Sequence, residues 1–464
     1  MSQNPPSSDT AQTPLTPPVR EPLVRRVLRS GGVSLFGFGT MQVLRLASNL
    51  IMARLLTPEA FGLIAIAISL QVLMIMISDL GLNQSIVRTK SIDDPKFLET
   101  AFTLQVLRGA ILGGVMFAGA GLVAMLAAMN VFPEKSVFAD TRLPIFIAGA
   151  GIMLIVTGFL SLRPVLYQRD LKLTQPILVE IGSQIIGLIM MLVAFKFGAG
   201  AFSLLAGMLT TSSMSVIGSY VFLKGPVIGF GLNRTHFREI FDYGKWLLLA
   251  SFLGFLIQRG DQFIFGTVMI DTQFGLYAIA TTWITVAILL VDIIQQRVVY
   301  PTLSEVWREN PAGLTKVYEN FRLAFDGLCI AIFAAIWIAG DFAFGLLYPD
   351  WYGGVADYMK LLSVIILFLP YRLLNTTILA EGRSRNFLTV TFGPALVILV
   401  GIPIMLHFTD VRTAIVFFTL SQVTSIPLSW WYTKRFLTLK AWRELPIGIF
   451  AILAAFIIAT QFEF

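Results

Sequence analysis

Apolar runs of about 20 residues follow one another along almost the whole chain, each long enough as a helix to cross a hydrocarbon core of roughly 30 Å. In lipid the backbone must satisfy its own hydrogen bonds, so runs of this length fold as helices. They fall at 31–53, 58–78, 105–129, 143–163, 176–197, 200–223, 244–266, 274–296, 323–347, 358–380, 387–408 and 413–433, with a further run at 445–462. The expected fold class is an all-α polytopic membrane protein. Charged residues make up only 13% of the 464, against roughly a quarter in soluble domains, which excludes a soluble enzyme. The net charge of +7 is scattered among loops and forms no basic domain, so nucleic acid is not an expected partner. One cysteine and two separated histidines leave neither a disulfide framework nor a metal-ligand cluster. No cofactor is expected. Residues 1–22 are rich in Pro, Ser and Thr without an apolar core and read as a disordered tail, not a signal peptide.

Lys and Arg assign the orientation, because cytoplasmic loops keep an excess of positive charge. Alternate loops carry 24 on one side, beginning with Arg20, Arg25, Arg26 and Arg29, against five on the other: Arg54, Lys135, Arg142, Lys196 and Arg412. This places the N-terminus of a multi-pass membrane protein in the cytoplasm. The outward loops are short, the longest lying around 131–142, and leave no chain for an outer catalytic domain.

An internal repeat divides the chain. Phe61-Gly62-Leu63-Ile64-Ala65-Ile66-Ala67 recurs as Phe274-Gly275-Leu276-Tyr277-Ala278-Ile279-Ala280, six of seven residues identical at an offset of 213. Six helices separate the copies, so both halves face the same way, a parallel repeat of six plus six. The expected organisation is a tail (1–22), an N-lobe (23–223), a cytoplasmic linker (224–243), a C-lobe (244–435) and an extra C-terminal helix (436–464). With one residue of slack, the same offset aligns Arg45 with Arg259, Asp79 with Asp292 and Arg108 with Arg322.

Five basic residues remain inside the spans: Arg45, Arg108, Arg259, Lys360 and Arg372. Each is costly unless it meets a partner or a wet cavity. Arg45 and Arg259 sit at matching depths in the two halves. Together they could present guanidinium forks to a phosphate or pyrophosphate, or each could pair with a carboxylate such as Asp261 and fix packing. Arg372 follows Pro370, which favours a kink, and is placed on a cavity wall. Arg108 either receives a headgroup at the cytoplasmic entrance or marks a helix boundary. Lys360 is read as snorkelling to water. Asp79 and Asp292 end their helices, where the helix dipole disfavours a carboxylate. They form a loop salt bridge with arginines such as Arg88 or Arg297, or else a gate between the halves. Asp261, Glu180 and Asp326 are the candidate ion-coupling carboxylates, with H+ or Na+ as the ion. There is no Walker-type phosphate loop and no nucleophile–base arrangement, so the chain is not read as an enzyme.

The stretch Ala53-Arg54-Leu55-Leu56-Thr57-Pro58-Glu59-Ala60-Phe61-Gly62, with Asp79-Leu80-Gly81-Leu82 and Tyr167-Gln168-Arg169-Asp170-Leu171, resembles the polysaccharide transporter family. These are Wzx-type flippases of the multidrug/oligosaccharidyl-lipid/polysaccharide exporter superfamily. The resemblance extends over essentially the whole membrane region. It implies two six-helix lobes around a cationic cavity to which Arg45, Arg108, Arg259 and Arg372 could contribute. The implied cargo is undecaprenyl pyrophosphate carrying an oligosaccharide repeat unit for exopolysaccharide or lipopolysaccharide synthesis. Membrane lipids, a polysaccharide polymerase and a chain-length regulator are the implied partners. A peptidoglycan-precursor flippase shares this charge logic. A multidrug exporter would favour acidic or aromatic cavity residues, and a polymerase or ligase would need a large outer loop.

Overall fold

The computed structural model describes residues 23–78, 82, 86, 94–133, 136–170, 172–309, 313–380, 384–435, 437–438 and 441–461. The tail expected at 1–22 and Asp79 lie outside the described residues. The described chain is helical, with a single isolated antiparallel bridge between Ser136 and Ile270.

The first lobe contains α1 (Leu23–Ala53), α2 (Pro58–Ile77), α3 (Pro95–Ala128), α4 (Leu143–Gly158), α5 (Arg163–Arg169), α6 (Thr174–Lys196) and α7 (Phe202–Val221). α3 begins ten residues before the expected position, because Asp94 caps it by accepting the Lys96 N–H at 2.9 Å and Pro95 occupies the first turn. The run expected at 143–163 is broken: α4 and α5 meet at 62°. Gln105 braces the break, donating to the Gly158 and Leu160 carbonyls at 3.0 and 2.7 Å.

The second lobe contains α8 (Arg234–Val268), α9 (Asp271–Ile294), α10 (Tyr300–Glu309), α11 (Leu314–Leu347), α12 (Val355–Ser363), α13 (Arg372–Ala380), α14 (Ser384–Leu396), α15 (Ile402–Phe408), α16 (Val411–Leu420) and α17 (Ser425–Thr433), followed by α18 (Ala441–Gln461). α8 reaches back through half of the expected linker, whose irregular part ends at Asn233. The Asn233 side chain accepts the Thr235 and His236 N–H groups and starts the helix. Between α12 and α13 the chain tightens into a 3-10 stretch, Val364–Tyr371, containing Pro370; the proline has no N–H to continue an α-helical ladder. This composite span is almost wholly buried and forms the axis of the lobe.

Among the described residues nine helices are long and apolar enough to cross a membrane, or ten with the bent α4–α5 pair. α1 and α8, 31 and 35 residues long, also have the length but carry arginines within. The chain is a multi-pass membrane protein. α18 runs the depth of the second lobe: Tyr318, near the start of α11, donates to Glu444, while Arg412, at the start of α16, donates to the Ile458 carbonyl.

The two copies of the repeated motif pack against each other where the lobes meet. A Cβ on Gly275 would lie 1.9 Å from the Pro58 carbonyl oxygen, and one on Gly62 would lie 3.3 Å from the Phe274 ring, so glycine is what lets α2 and α9 approach. Thr272 donates to Glu59 at 2.6 Å, Tyr352 donates to the Leu56 carbonyl at 2.8 Å, and deeper in, Ser69 donates to Gln262. The lobes are therefore joined at the end that carries Arg54 and Arg142.

Candidate functional site

The second lobe holds a cavity of about 960 Å³. Its polar lining includes Arg259 and Asp261 of α8, Asp292 of α9, Arg372 and Asn375 of α13, and Gln422 of the 3-10 turn before α17. Arg259, Asp261 and Asp292 reach the cavity from continuous helices, whereas Arg372 and Gln422 stand where the α-helix gives way to a 3-10 stretch. Gln295 begins a π turn, Gln295–Val299, directly after α9, and donates to Thr376 at 2.8 Å; Thr376 in turn donates to the Arg372 carbonyl at 3.0 Å. π turns inside helices recur at functional sites because they re-aim side chains.

Arg259 lies nine residues from the end of α8, about 14 Å along the helix, and Arg45 lies eight residues from the end of α1, about 12 Å. Each therefore stands a similar distance from the end of its own helix. Arg45 is exposed and does not line the cavity, but its positive charge is close enough to act on Arg259. Neither arginine has a hydrogen bond or ion pair among the described residues. The alternative pairing of Arg259 with Asp261 is not made: Asp261, 1% exposed, accepts the Tyr277 hydroxyl instead, and its Oδ1 is left without a hydrogen bond.

Arg372 is countered directly. Its Nη1 lies 2.8 Å from Asp292 Oδ1, with both side chains a little over a quarter exposed. The suggested Arg297 partner of Asp292 has its side chain outside the described residues. The gate residue and the cavity arginine of the sequence reading thus meet in one ion pair.

The other candidates lie elsewhere. Arg108 serves the end of α2, donating to Ser78 Oγ at 2.8 Å and to the Ile75 carbonyl at 2.6 Å, where the negative end of the helix dipole favours a cation. Glu180 is exposed on α6 and Asp326 is held by Arg322 of its own helix; neither joins the cavity. Lys360 does not snorkel to water. Its ammonium is drawn into an ion pair with Asp341 at 2.6 Å and the residue is 8% exposed. Asp79 cannot be placed, being outside the described residues. Sequence reasoning missed Asn375, Gln295 and Gln422; the adjacent Gln295-Gln296 pair just past Asp292 was the available signal.

Outside the spans, burial alone would raise the Asp140 carboxyl, but hydrogen bonds from the Arg142 side chain and backbone hold it below the ordinary aspartate value. The pair closes at 2.6 Å and Arg142 also feels Glu59 and Asp271, so charge is concentrated beside the α2–α9 contact. No group of three or more metal-ligating side chains occurs among the described residues.

A sequence profile described as polysaccharide biosynthesis protein matches residues 51–357. No curated protein matches the sequence. Among solved structures, the chain resembles the lipid II flippase MurJ in an inward closed conformation, at 13% identity and a TM-score of 0.67, over 94% of each chain. It also resembles an inward-facing multidrug resistance MATE family transporter of the MOP superfamily, at 17% identity and a TM-score of 0.61, over 85% of this chain and 94% of that one. A MOP superfamily transporter from Pyrococcus furiosus, described as having a binding pocket of reverse polarity, matches at 16% identity and a TM-score of 0.53, over 89% of this chain and 95% of the other. At these identities the likeness is one of fold.

Proposed function

The chain belongs to the polysaccharide biosynthesis protein family, and from that premise we propose that it is a flippase carrying lipid-linked oligosaccharide repeat units, built on undecaprenyl pyrophosphate, from the cytoplasmic to the outer leaflet of the bacterial inner membrane. The observation that carries this reading is that Arg259, without an ion pair among the described residues, lines the same cavity as Arg372, with the charge of Arg45 close enough to act on it. A guanidinium inside a membrane span is costly unless a partner or a wet cavity meets it, and an anionic cargo would supply Arg259 with that partner. A pyrophosphate offers the planar, multidentate oxygen set that arginine forks match.

In this reading the headgroup enters between the lobes from the arginine- and lysine-rich end while its lipid tail stays in the bilayer. The phosphates meet Arg45 and Arg259 and compete with Asp292 for Arg372. The α2–α9 contact holds the opposite end shut, and its parting releases the cargo outward by alternating access. Moving negative charge outward is assisted by an inside-negative potential, by about 2.3 kcal/mol per charge per 100 mV. Asp261, buried beside Arg259 with an unsatisfied oxygen, is the carboxylate best placed for coupling to H+ or Na+.

A peptidoglycan-precursor flippase uses the same pyrophosphate chemistry, and the fold shared with MurJ favours it as the second reading. Purified protein in proteoliposomes, loaded with fluorescent lipid-linked oligosaccharide or with lipid II, separates the two by which headgroup becomes accessible to an outside quencher. Movement of neither would refute both readings. A deletion strain is expected to accumulate lipid-linked repeat units at the inner leaflet.

A further inference from the structure

The second lobe buries another set of ionisable side chains, apart from those assigned to the cargo. Arg322 of α11 is 3% exposed. Its Nε lies 3.0 Å from Asp326 Oδ1 one turn along the same helix, and its Nη1 lies 3.3 Å from Glu444 Oε2 on α18. Tyr318 donates to Glu444 Oε1 at 3.1 Å, and Tyr371, from the 3-10 stretch, donates to the Glu444 carbonyl. The Arg322 guanidinium also stands 4.0 Å from the centroid of the Tyr371 ring. Glu319, on α11, adds a further carboxylate whose charge reaches Glu444.

Charge and hydrogen bonding are both out of balance here. One guanidinium faces two carboxylates, and no second cation is paired with them among the side chains described. A buried carboxylate with an unmatched charge is strongly disfavoured. Glu444 Oε2, Asp326 Oδ1 and Arg322 Nη1 are all buried without a hydrogen bond, although Glu444 as a whole is only 5% exposed. One added proton removes one of the two negative charges and turns one carboxylate oxygen into a donor.

We propose that Asp326 and Glu444 form a proton-binding site around Arg322, in which one of the two carboxyls carries a proton, linked to the transport cavity through Tyr371. The Asp326 side chain, 18% exposed, gives the proton its way in. Tyr371 lines the cavity and is followed directly by Arg372, the partner of Asp292. When the proton leaves, Arg322 is drawn toward two ionised carboxylates and away from the Tyr371 ring, which shifts the peptide that sets the position of Arg372. On this account α18 is an integral part of the transporter. The link to transport rests on the flippase reading; the proton site does not.

Infrared difference spectra of the full-length protein in lipid vesicles, taken across a pH titration, test the site. The wild type should show a protonated carboxyl band that shifts when aspartate or glutamate carboxyls are isotopically labelled. Asp326→Asn and Glu444→Gln should each remove it, because either leaves a single carboxylate matched to Arg322. A cluster that merely clamps α18 would keep its carboxyls ionised, so an isotope-insensitive wild-type spectrum, or a band that survives in both variants, overturns the proposal. The second arm measures transport of fluorescent lipid-linked oligosaccharide under an imposed pH gradient. Gradient stimulation present in the wild type and lost in both variants supports the coupling, and stimulation retained in them rejects it. A band that behaves as expected in vesicles that move no cargo rejects the flippase reading alone, whereas transport without the band rejects the proton site alone.

Discussion

Arg372 Nη1 rests 2.8 Å from Asp292 Oδ1, joining two helices from positions 80 residues apart on the wall of the cavity. Each side chain retains a little over a quarter of its exposure, so the pair is hydrated and worth about 1 kcal/mol or less. It is therefore strong enough to hold Arg372 in place and weak enough to yield to a doubly charged headgroup.

Removing either partner should separate binding from turnover. Arg372→Ala is expected to weaken binding of lipid-linked pyrophosphate by roughly 10- to 100-fold, the worth of one charge-assisted contact, with little change in melting temperature. Asp292→Asn frees the arginine and should tighten binding by up to about fivefold, the ion-pair energy returned, while slowing turnover. Ligand titration and transport rates on the purified variants decide this; equal losses in both variants would mean that the pair is structural.

The glycines of the repeated motif should respond unequally to the same change. Gly275→Ala drives a methyl to within 1.9 Å of a backbone oxygen and must push α2 and α9 apart, whereas the new methyl of Gly62→Ala meets the Phe274 side chain at 3.3 Å, which can shift. Cross-linking between cysteines placed at Glu59 and Thr272, whose side chains touch in the closed form, is expected to fall sharply in the first background and modestly in the second. Equal cross-linking in all backgrounds would show that this contact does not hold the lobes together.

The Asp140–Arg142 pair makes a pH-dependent contribution outside the spans. The Asp140 carboxyl is held below its ordinary 3.8, so the folded state binds its proton less readily than the unfolded chain. The stabilisation is complete above that value and is lost as the pH falls through the lower folded value. With Arg142 43% exposed, its size is about 1 kcal/mol at most. Thermal unfolding at neutral and strongly acidic pH should show a smaller acid-induced drop in Asp140→Asn than in the wild type, and an identical drop would contradict the assignment.

The α4–α5 break depends on Gln105, which satisfies two carbonyls that the bend frees. Gln105→Leu leaves both without this donor and should cost about 1–3 kcal/mol. A drop in melting temperature, with proteolytic nicking between Gly158 and Arg163, is the expected reading; unchanged stability would mean that water replaces the side chain.

Much of this was legible in the sequence, for reasons that differ from feature to feature. The Phe61–Ala67 repeat announced two like-oriented halves, and the corresponding positions of Arg45 and Arg259 followed from its offset. Arg108 was expected either to receive a headgroup or to mark the start of its own span; α3 begins at Pro95 and runs past it, and that Arg108 serves the end of α2 instead depends on where α3 lies beside that helix. Lys360 and Asp341, 19 residues apart, gave no periodic signal. Glu444 was left out of the last helix because the apolar run begins after it, and only packing against Tyr318 and Tyr371 draws it into the protein.

By itself, the order of residues determined that the chain lives in lipid, that its spans are helices, and that its two similar halves carry arginines at corresponding positions. Hydrophobic length and helical pitch are local properties, readable wherever a run begins and ends. The tertiary structure decided which charges are matched: Arg372 by Asp292, Arg322 by two carboxylates, and Arg259 by no ion-pair partner among the described residues. An ion pair forms between side chains whose separation is fixed by how distant helices rotate and cross, and no stretch of sequence contains that rotation.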